Sequence, residues 1–193
     1  MTWGKEDFFV SRGIKAFGSV KRLCAAAMLV AISVVIGIFC KNVLNFGNGL
    51  FRITFEGMPI ILSGIMFGPI VGGVVGFCAD TLSYFLSTQS FAISPIVTLA
   101  AVLMGVISGL VARYIVKTSG KKQIILAGAL SHIVSSMIIK PIGLYVYYGW
   151  AVLVRIPLYL VIAPIEIFII CLMFKNKEFK RIVNQIQTNK KSW

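Results

Sequence analysis

Long apolar runs alternate with short polar segments along the chain. An α-helix rises about 1.5 Å per residue, so roughly 20 apolar residues are needed to cross the hydrocarbon core of a membrane. Some of the runs are shortened by glycine or proline, and together they predict six helices. We therefore expect an all-α integral membrane protein, a six-helix bundle forming one domain over residues 1–193, with helices at about 22–40, 57–68, 70–87, 94–116, 123–146 and 151–174.

Two segments depart from a simple spanning helix. The second run is short because Pro59 lies near its start and Gly68-Pro69 closes it, which predicts a tilted or partly re-entrant element. After the last run, apolar residues recur at helical spacing with basic residues between them. This spacing predicts a short amphipathic C-terminal helix on the inner leaflet, with its apolar face formed by Phe179, Ile182, Val183 and Ile186.

The distribution of charge predicts the orientation of the bundle. The chain is 58% hydrophobic and carries 19 lysines and arginines against 6 acidic residues. If both termini are cytoplasmic, all but four of the basic residues lie on the cytoplasmic side, as the positive-inside rule requires. We therefore expect both termini in the cytoplasm. The four exceptions lie at or just below the outer surface: Lys41, Arg52, Lys140 and Arg155.

Motifs for catalysis or metal binding are missing from the sequence. The four cysteines lie far apart, and the single histidine, His132, has no partner at zinc-site spacing. No HExxH, G-x-S-x-G or Walker A pattern is found. The sequence therefore predicts no catalytic residue, no metal, no cofactor and no ATPase site, so the energy for any uphill transport must come from elsewhere.

Charged residues inside the predicted helices are the candidates for function. At the membrane centre each one costs on the order of 2.5–3.5 kcal/mol, so each requires a partner or a role. Asp80, Lys140 and Arg155 are predicted to lie roughly 6–10 Å below the outer boundary. The cations either bind an anionic ligand or pair with Asp80, and both explanations stay open. Three further charged residues fall in or beside the apolar runs: Arg52, Glu56 and Glu166.

His132 and the outer aromatic residues also have two interpretations each. His132 precedes Lys140 by eight residues, about two turns deeper on much the same helical face, so it contacts either a ligand or another helix. The rings near the outer loops suit a planar ligand, although an interfacial aromatic belt would have the same appearance. These rings include Phe51, Tyr84, Tyr148 and Trp150.

Small residues form two stripes at helical spacing. Ala27 and Ala31 lie four residues apart in the first helix, a pattern that lets another helix approach closely. Packing within the bundle and docking of another subunit both explain it. In the third helix the stripe consists of Gly68, Gly72, Gly76 and, in the same register, Asp80.

Two stretches, taken together with six helices and Ala27-x-x-x-Ala31, resemble the S component of an energy-coupling-factor (ECF) vitamin transporter. They are "FRITFEGMPIILSGIMFGPIVGGVVGFCADTLSYFL" and "YYGWAVLVRIPLYLVIAPIE". The resemblance extends from about residue 20 to 175 and is greatest to the folate-specific branch. It implies high-affinity capture of an extracellular vitamin at the plasma membrane, with energy supplied by two cytoplasmic ATPases through a transmembrane scaffold protein.

The resemblance also implies roles for single residues. Asp80 would accept hydrogen bonds from the amino-pyrimidinone edge of the pterin, while Lys140 and Arg155 would hold the glutamate carboxylates. Ala27 and Ala31 would meet the coupling helices of the scaffold. The remaining expected substrate-binding residues are Phe51, Arg52, Tyr84, His132 and Tyr148.

Three alternatives to folate capture stay open at this stage. The first is an S component for another vitamin, such as pantothenate or riboflavin. The second is a small secondary transporter coupled to protons through Asp80, His132 or Glu166. The third is a structural membrane subunit without a ligand, in which the buried charges pair with one another.

Overall fold

In a computed structural model of the chain, the structure describes residues 20–46, 51–86, 95–115 and 121–188. A pair of two-residue antiparallel strands, β1 (Asn45–Phe46) and β2 (Phe51–Arg52), follows the first helix. All other regular elements in the described ranges are helical. The α-helices are α1 (Val20–Val43), α2 (Gly57–Phe67), α3 (Pro69–Leu86), α4 (Pro95–Leu110), α5 (Lys121–His132), α6 (Lys140–Tyr148), α7 (Arg155–Lys175) and α8 (Lys177–Thr188).

Three helical segments depart from α geometry. A π-helix extends α4 over Val111–Ile115, and a second π-helix, Ile133–Ile139, joins α5 to α6. A 3-10 helix over Gly149–Val154 separates α6 from α7. The helix predicted at about 151–174 therefore starts at Arg155, which places Arg155 at the first turn rather than one turn inside.

Five helical segments are long and apolar enough to cross a membrane: Val20–Val43, Pro69–Leu86, Pro95–Ile115, Lys122–Tyr145 and Arg155–Lys175. The predicted second helix is apolar, but α2 has only 11 residues, which corresponds to about 16 Å. The structure therefore supports an all-helical bundle with five candidate spans and one short apolar helix.

The break between α2 and α3 lies at Gly68, whose φ of +98° favours glycine. Pro69 then begins α3, a position where its missing N–H would have had no helical acceptor. The Arg113 guanidinium donates from Nη2 to the Phe67 carbonyl oxygen at 2.6 Å and so ties the end of α2 to the end of α4. The second helix thus ends at Gly68-Pro69, and its tilted or partly re-entrant placement stays a prediction.

Close packing of α3 against α4 fixes the centre of the bundle. A methyl group added at Gly72 would lie 2.5 Å from the Gly105 carbonyl oxygen, so the two backbones meet with no room for a side chain. Gly76 meets the Ala101 carbonyl in the same way one turn later. The glycine stripe of α3 therefore faces α4, and it directs Asp80 toward that helix as well.

The two ends of the bundle carry different charges. At one end Lys41, Glu56, Asp80, Lys140 and Arg155 come from the ends of α1, α3, α6 and α7 and from the segment before α2; we call this the site end. The opposite end, which we call the basic end, has one described acid, Glu178. The described cations at the basic end are Lys21, Arg22, Arg113, Lys122, Lys175, Lys177, Lys180 and Arg181.

Candidate functional site

A small cavity lies at the site end, among α1, the start of α2, α3, α4 and α6. Its volume is about 10 Å³, roughly the room that one water molecule occupies. The lining mixes apolar side chains with two carboxylates and one ammonium group. It consists of Ser33, Glu56, Gly57, Ile60, Ala79, Asp80, Ala101, Met104 and Lys140.

Lys140 is buried at this cavity and lies close to two groups that stabilise a cation. Its Nζ lies 3.8 Å from Glu56 Oε1, and it lies 5.9 Å from the centre of the Tyr159 ring. Carboxylates and aromatic faces both attract an ammonium group, the more strongly where water is excluded. The structure thus places a predicted binding cation beside an acid for which the sequence suggested no role.

Glu56 is held where the chain enters α2. It directly precedes the first residue of that helix, where the unpaired N–H groups favour negative charge. The backbone carbonyl of Glu56 accepts a hydrogen bond from Ser33 Oγ at 2.8 Å. Gly37 leaves space for the carboxylate, because a methyl group there would lie 2.9 Å from Glu56 Oε2. Both α1 contacts fix Glu56 against the bundle.

Asp80 is anchored across the α3–α4 interface. Thr98 Oγ1 donates to Asp80 Oδ2 at 2.7 Å. This contact follows from the glycine stripe, since Asp80 lies four residues beyond Gly76 on the face that meets α4. The carboxylate predicted to bind a ligand therefore lines the cavity in a fixed orientation.

Lys41 and Arg155 add two buried cations at the site end, each about 5% exposed. Arg155 is the first residue of α7, directly after the 3-10 segment. Trp150 in that segment is exposed and packs edge-on to Tyr145, with ring centroids 5.7 Å apart. The tryptophan is close in sequence to the predicted binding residue and accessible from outside the bundle.

His132 makes the contact between helices that the sequence left as one of two possibilities. His132 Nε2 and Glu166 Oε2 share a hydrogen bond of 2.7 Å, and both side chains are buried. The Ser136 hydroxyl lies 3.4 Å from His132 Nδ1. Glu166 also approaches the start of α2, because a methyl group at Gly57 would lie 2.9 Å from Glu166 Oε2. Since Gly57 lines the cavity, this pair lies beside the cavity without lining it.

The predicted aromatic platform is only partly described. Tyr84 lies one turn after Asp80 on α3 and packs edge-on to Phe85, with centroids 5.8 Å apart. The side chains of Phe51, Arg52 and Tyr148 lie outside the described part of the structure, although the backbones of Phe51 and Arg52 form β2. Stacking of a ligand on these rings stays a prediction.

The small residues of α1 face outward. Ala27 and Ala31 are exposed, as are Met28 and Ile32 beside them, so this surface is accessible to lipid or to another helix. Among the described residues, no group of three or more His, Cys, Asp or Glu side chains is placed to hold a metal ion.

Comparison with known proteins identifies relatives of this chain. The folate transporter FolT of Clostridium novyi is 29% identical over 160 residues, which cover 81% of this chain and 91% of that protein. An uncharacterised Mycoplasma pneumoniae protein is 34% identical over 71 residues, 37% of this chain and 24% of its own length. A crystal structure of FolT bound with folic acid superimposes with a TM-score of 0.63 at 25% identity, covering 78% of this chain and 90% of that one.

The chain matches a known protein family over most of its length. Residues 21–188 match the family described as ECF transporter, substrate-specific component. Together with the five candidate membrane spans, this match identifies a multi-pass membrane transport subunit rather than an enzyme. The chain therefore belongs to the substrate-specific components of ECF transporters.

Proposed function

We propose that the chain captures folate with high affinity from outside the plasma membrane. The observation that carries the proposal is the likeness, over most of both chains, to FolT and to its folic acid-bound crystal structure. The charges at the site end support it, because two carboxylates and an ammonium group surround one cavity. Such a set suits a ligand that carries both hydrogen-bond donors and anionic groups.

Each part of folate has a matching group in the proposed site. Asp80 accepts hydrogen bonds from the amino-pyrimidinone edge of the pterin, and Lys140 and Arg155 bind the glutamate carboxylates. Arg52 adds a further cation, and the pterin and benzoyl rings stack on Phe51, Tyr84 or Tyr148.

The proposed topology has six membrane crossings, with α2 as the short one and both termini in the cytoplasm. It directs the basic end toward the cytoplasm, in agreement with the positive-inside rule. Without an ATPase site of its own, the chain depends on a transmembrane scaffold and two ATPases. The exposed surface at Ala27 and Ala31 is suited to meet the scaffold, because small residues let helices approach closely.

A competition assay tests the choice of vitamin. The purified chain in detergent micelles is saturated with radiolabelled folate, and unlabelled folate, pantothenate and riboflavin are added as competitors. We expect only unlabelled folate to displace the label at equimolar concentration. Displacement by pantothenate or riboflavin instead would assign the site to that vitamin.

A transport assay separates a substrate-binding subunit from a proton-coupled carrier. We expect proteoliposomes that contain the chain alone to bind folate without accumulating it, even under an imposed proton gradient. Accumulation should appear when scaffold and ATPases are added, and Ala31→Leu should abolish it while leaving binding unchanged. Ile32→Leu on the same exposed face is the matched control. Proton-driven accumulation by the chain alone would overturn the proposal.

A further inference from the structure

The buried pair of His132 and Glu166 has no role in the proposed folate site. Glu166 is completely buried and His132 nearly so. Charged or strongly polar pairs in a membrane interior are expensive to desolvate and are often no more stabilising than apolar residues of similar size. Packing alone therefore does not explain this pair, but its position in the bundle suggests a role.

Three elements meet at Glu166. His132 approaches from the end of α5, Gly57 from the start of α2, and Glu166 itself projects from the middle of α7. One turn before His132, Gly128 lies against Ile167, where a methyl group would be 2.6 Å from Ile167 Cγ1. The end of α5 is thus fixed to α7 at two successive turns.

The π-helix begins immediately after this fixed point. It covers Ile133–Ile139, and the N–H of Lys140 donates to the carbonyl oxygen of Ser135, five residues earlier. A hydrogen bond of that span widens the turn and changes the direction in which the following side chain leaves the helix. Such π turns inside α-helices often occur at functional sites. Lys140 is the first residue after the π-helix at Ile133–Ile139, and it lines the cavity.

We infer that the pair of His132 and Glu166 is a positioning device for Lys140, an inference that rests on the proposed folate site. The pair fixes the N-terminal end of the π-helix to α7. The C-terminal end of the π-helix then directs the Lys140 ammonium toward Glu56 and the cavity. Ser136 supports the pair. When its hydroxyl donates to Nδ1 of His132, the proton of the imidazole lies on Nε2 and is donated to Glu166. His132 and Glu166 act on the ligand through Lys140 and do not touch it.

A double-mutant cycle tests this inference. Folate affinity is measured calorimetrically for the wild-type chain, Glu166→Leu, Lys140→Gln and the double variant. We expect Glu166→Leu to raise Kd about tenfold in the wild-type background but less than about twofold when Lys140 is already replaced. The conservative Glu166→Gln keeps an acceptor for His132 and should restore affinity to within about threefold of wild type.

Two features keep the outcome decisive. Ser131→Ala is the matched control, because Ser131 is the neighbour of His132 but its hydroxyl donates within its own helix, to the Gly128 carbonyl at 2.9 Å. The Kd of this variant for folate should equal that of the wild-type chain. If Glu166→Leu does not fold, His132→Gln replaces it in the cycle with the same expected coupling. Equal rises in Kd in both Lys140 backgrounds would overturn the inference, whereas failure of the wild-type chain to bind folate would overturn the proposed function itself.

Discussion

The site end and the basic end contain similar kinds of side chain in opposite surroundings. At the site end Lys140, Glu56 and Asp80 are largely removed from water and held by neighbours on other helices. At the basic end Arg181 and Glu178 lie 4.0 Å apart with more than two thirds of each side chain exposed. A buried charge needs specific partners, whereas an exposed charge is stabilised by water. We therefore expect substitutions at the site end to change stability and binding, and those at the basic end to change little.

The largest effect is expected for Lys140→Met. The change removes the cation 3.8 Å from the buried Glu56 carboxylate. Breaking a buried pair on one side costs about 3–5 kcal/mol, so the free energy of unfolding should fall by that order. Reversible unfolding in mixed micelles, followed by circular dichroism, measures the change.

The double variant Lys140→Met with Glu56→Gln is the control for that experiment. Removing both charges leaves no uncompensated charge at Glu56, so we expect much of the lost stability to return. Folate affinity should stay low in the double variant because the cation is still missing. A double variant as unstable as Lys140→Met alone would show that the two groups do not act as a pair.

Asp80→Asn should weaken ligand binding with little change in stability. Asparagine keeps an oxygen that accepts the Thr98 hydroxyl, so the contact between α3 and α4 is retained. Hydrogen bonds to a charged group contribute about 1.5–3 kcal/mol, which predicts a rise in the Kd for folate of about 10- to 100-fold. Calorimetric titration measures it. An unchanged Kd would leave Asp80 as a counter-ion to the buried cations.

Thr98→Val should have a smaller effect of a different kind. Valine has nearly the same shape but donates no hydrogen bond to Asp80. A hydrogen bond to a charged group contributes about 1.5–3 kcal/mol, so we expect a loss of unfolding free energy of up to that size and a few-fold rise in Kd. Thr54→Val, a change of the same type in the segment before α2, is the control for folate affinity. A loss of affinity as large as that of Asp80→Asn would mean that Thr98 contacts the ligand itself.

The smallest effect is expected for the combined change Lys177→Gln and Arg181→Gln at the basic end. Exposed ion pairs contribute about 0–1 kcal/mol, so stability should change by less than 1 kcal/mol and folate affinity should not change. The same two measurements check this. A fall in affinity comparable to that of the site-end variants would remove the distinction between the two ends.

Most of the fold followed from hydropathy, because a spanning helix needs a long apolar run. The predicted bounds agree with the described helices to within a few residues for α1 to α4. The π-helix at Ile133–Ile139 and the 3-10 helix at Gly149–Val154 could not be predicted, because tertiary contacts select these turns over α-helix. Arg155 therefore begins α7, whereas the sequence predicted it one turn inside a helix.

The candidate site was predicted as a set of residues but not as a set of contacts. The high cost of charge in a membrane singled out Asp80 and Lys140, and both line the cavity. Their partners are Thr98 on α4 and Glu56 in the segment before α2, and a single sequence holds no signal for such pairings. The bond between His132 and Glu166 was beyond prediction for the same reason.

The most direct test of folate capture at the site end is a titration of the purified chain that follows tryptophan emission. Trp150 is close in sequence to Arg155 and is exposed. The account predicts saturable quenching by one equivalent of folate, none by pantothenate or riboflavin, and no response to folate at the same concentration in the double variant Asp80→Asn with Lys140→Met. Absence of a saturable response to folate, or an undiminished response in the double variant, would contradict it.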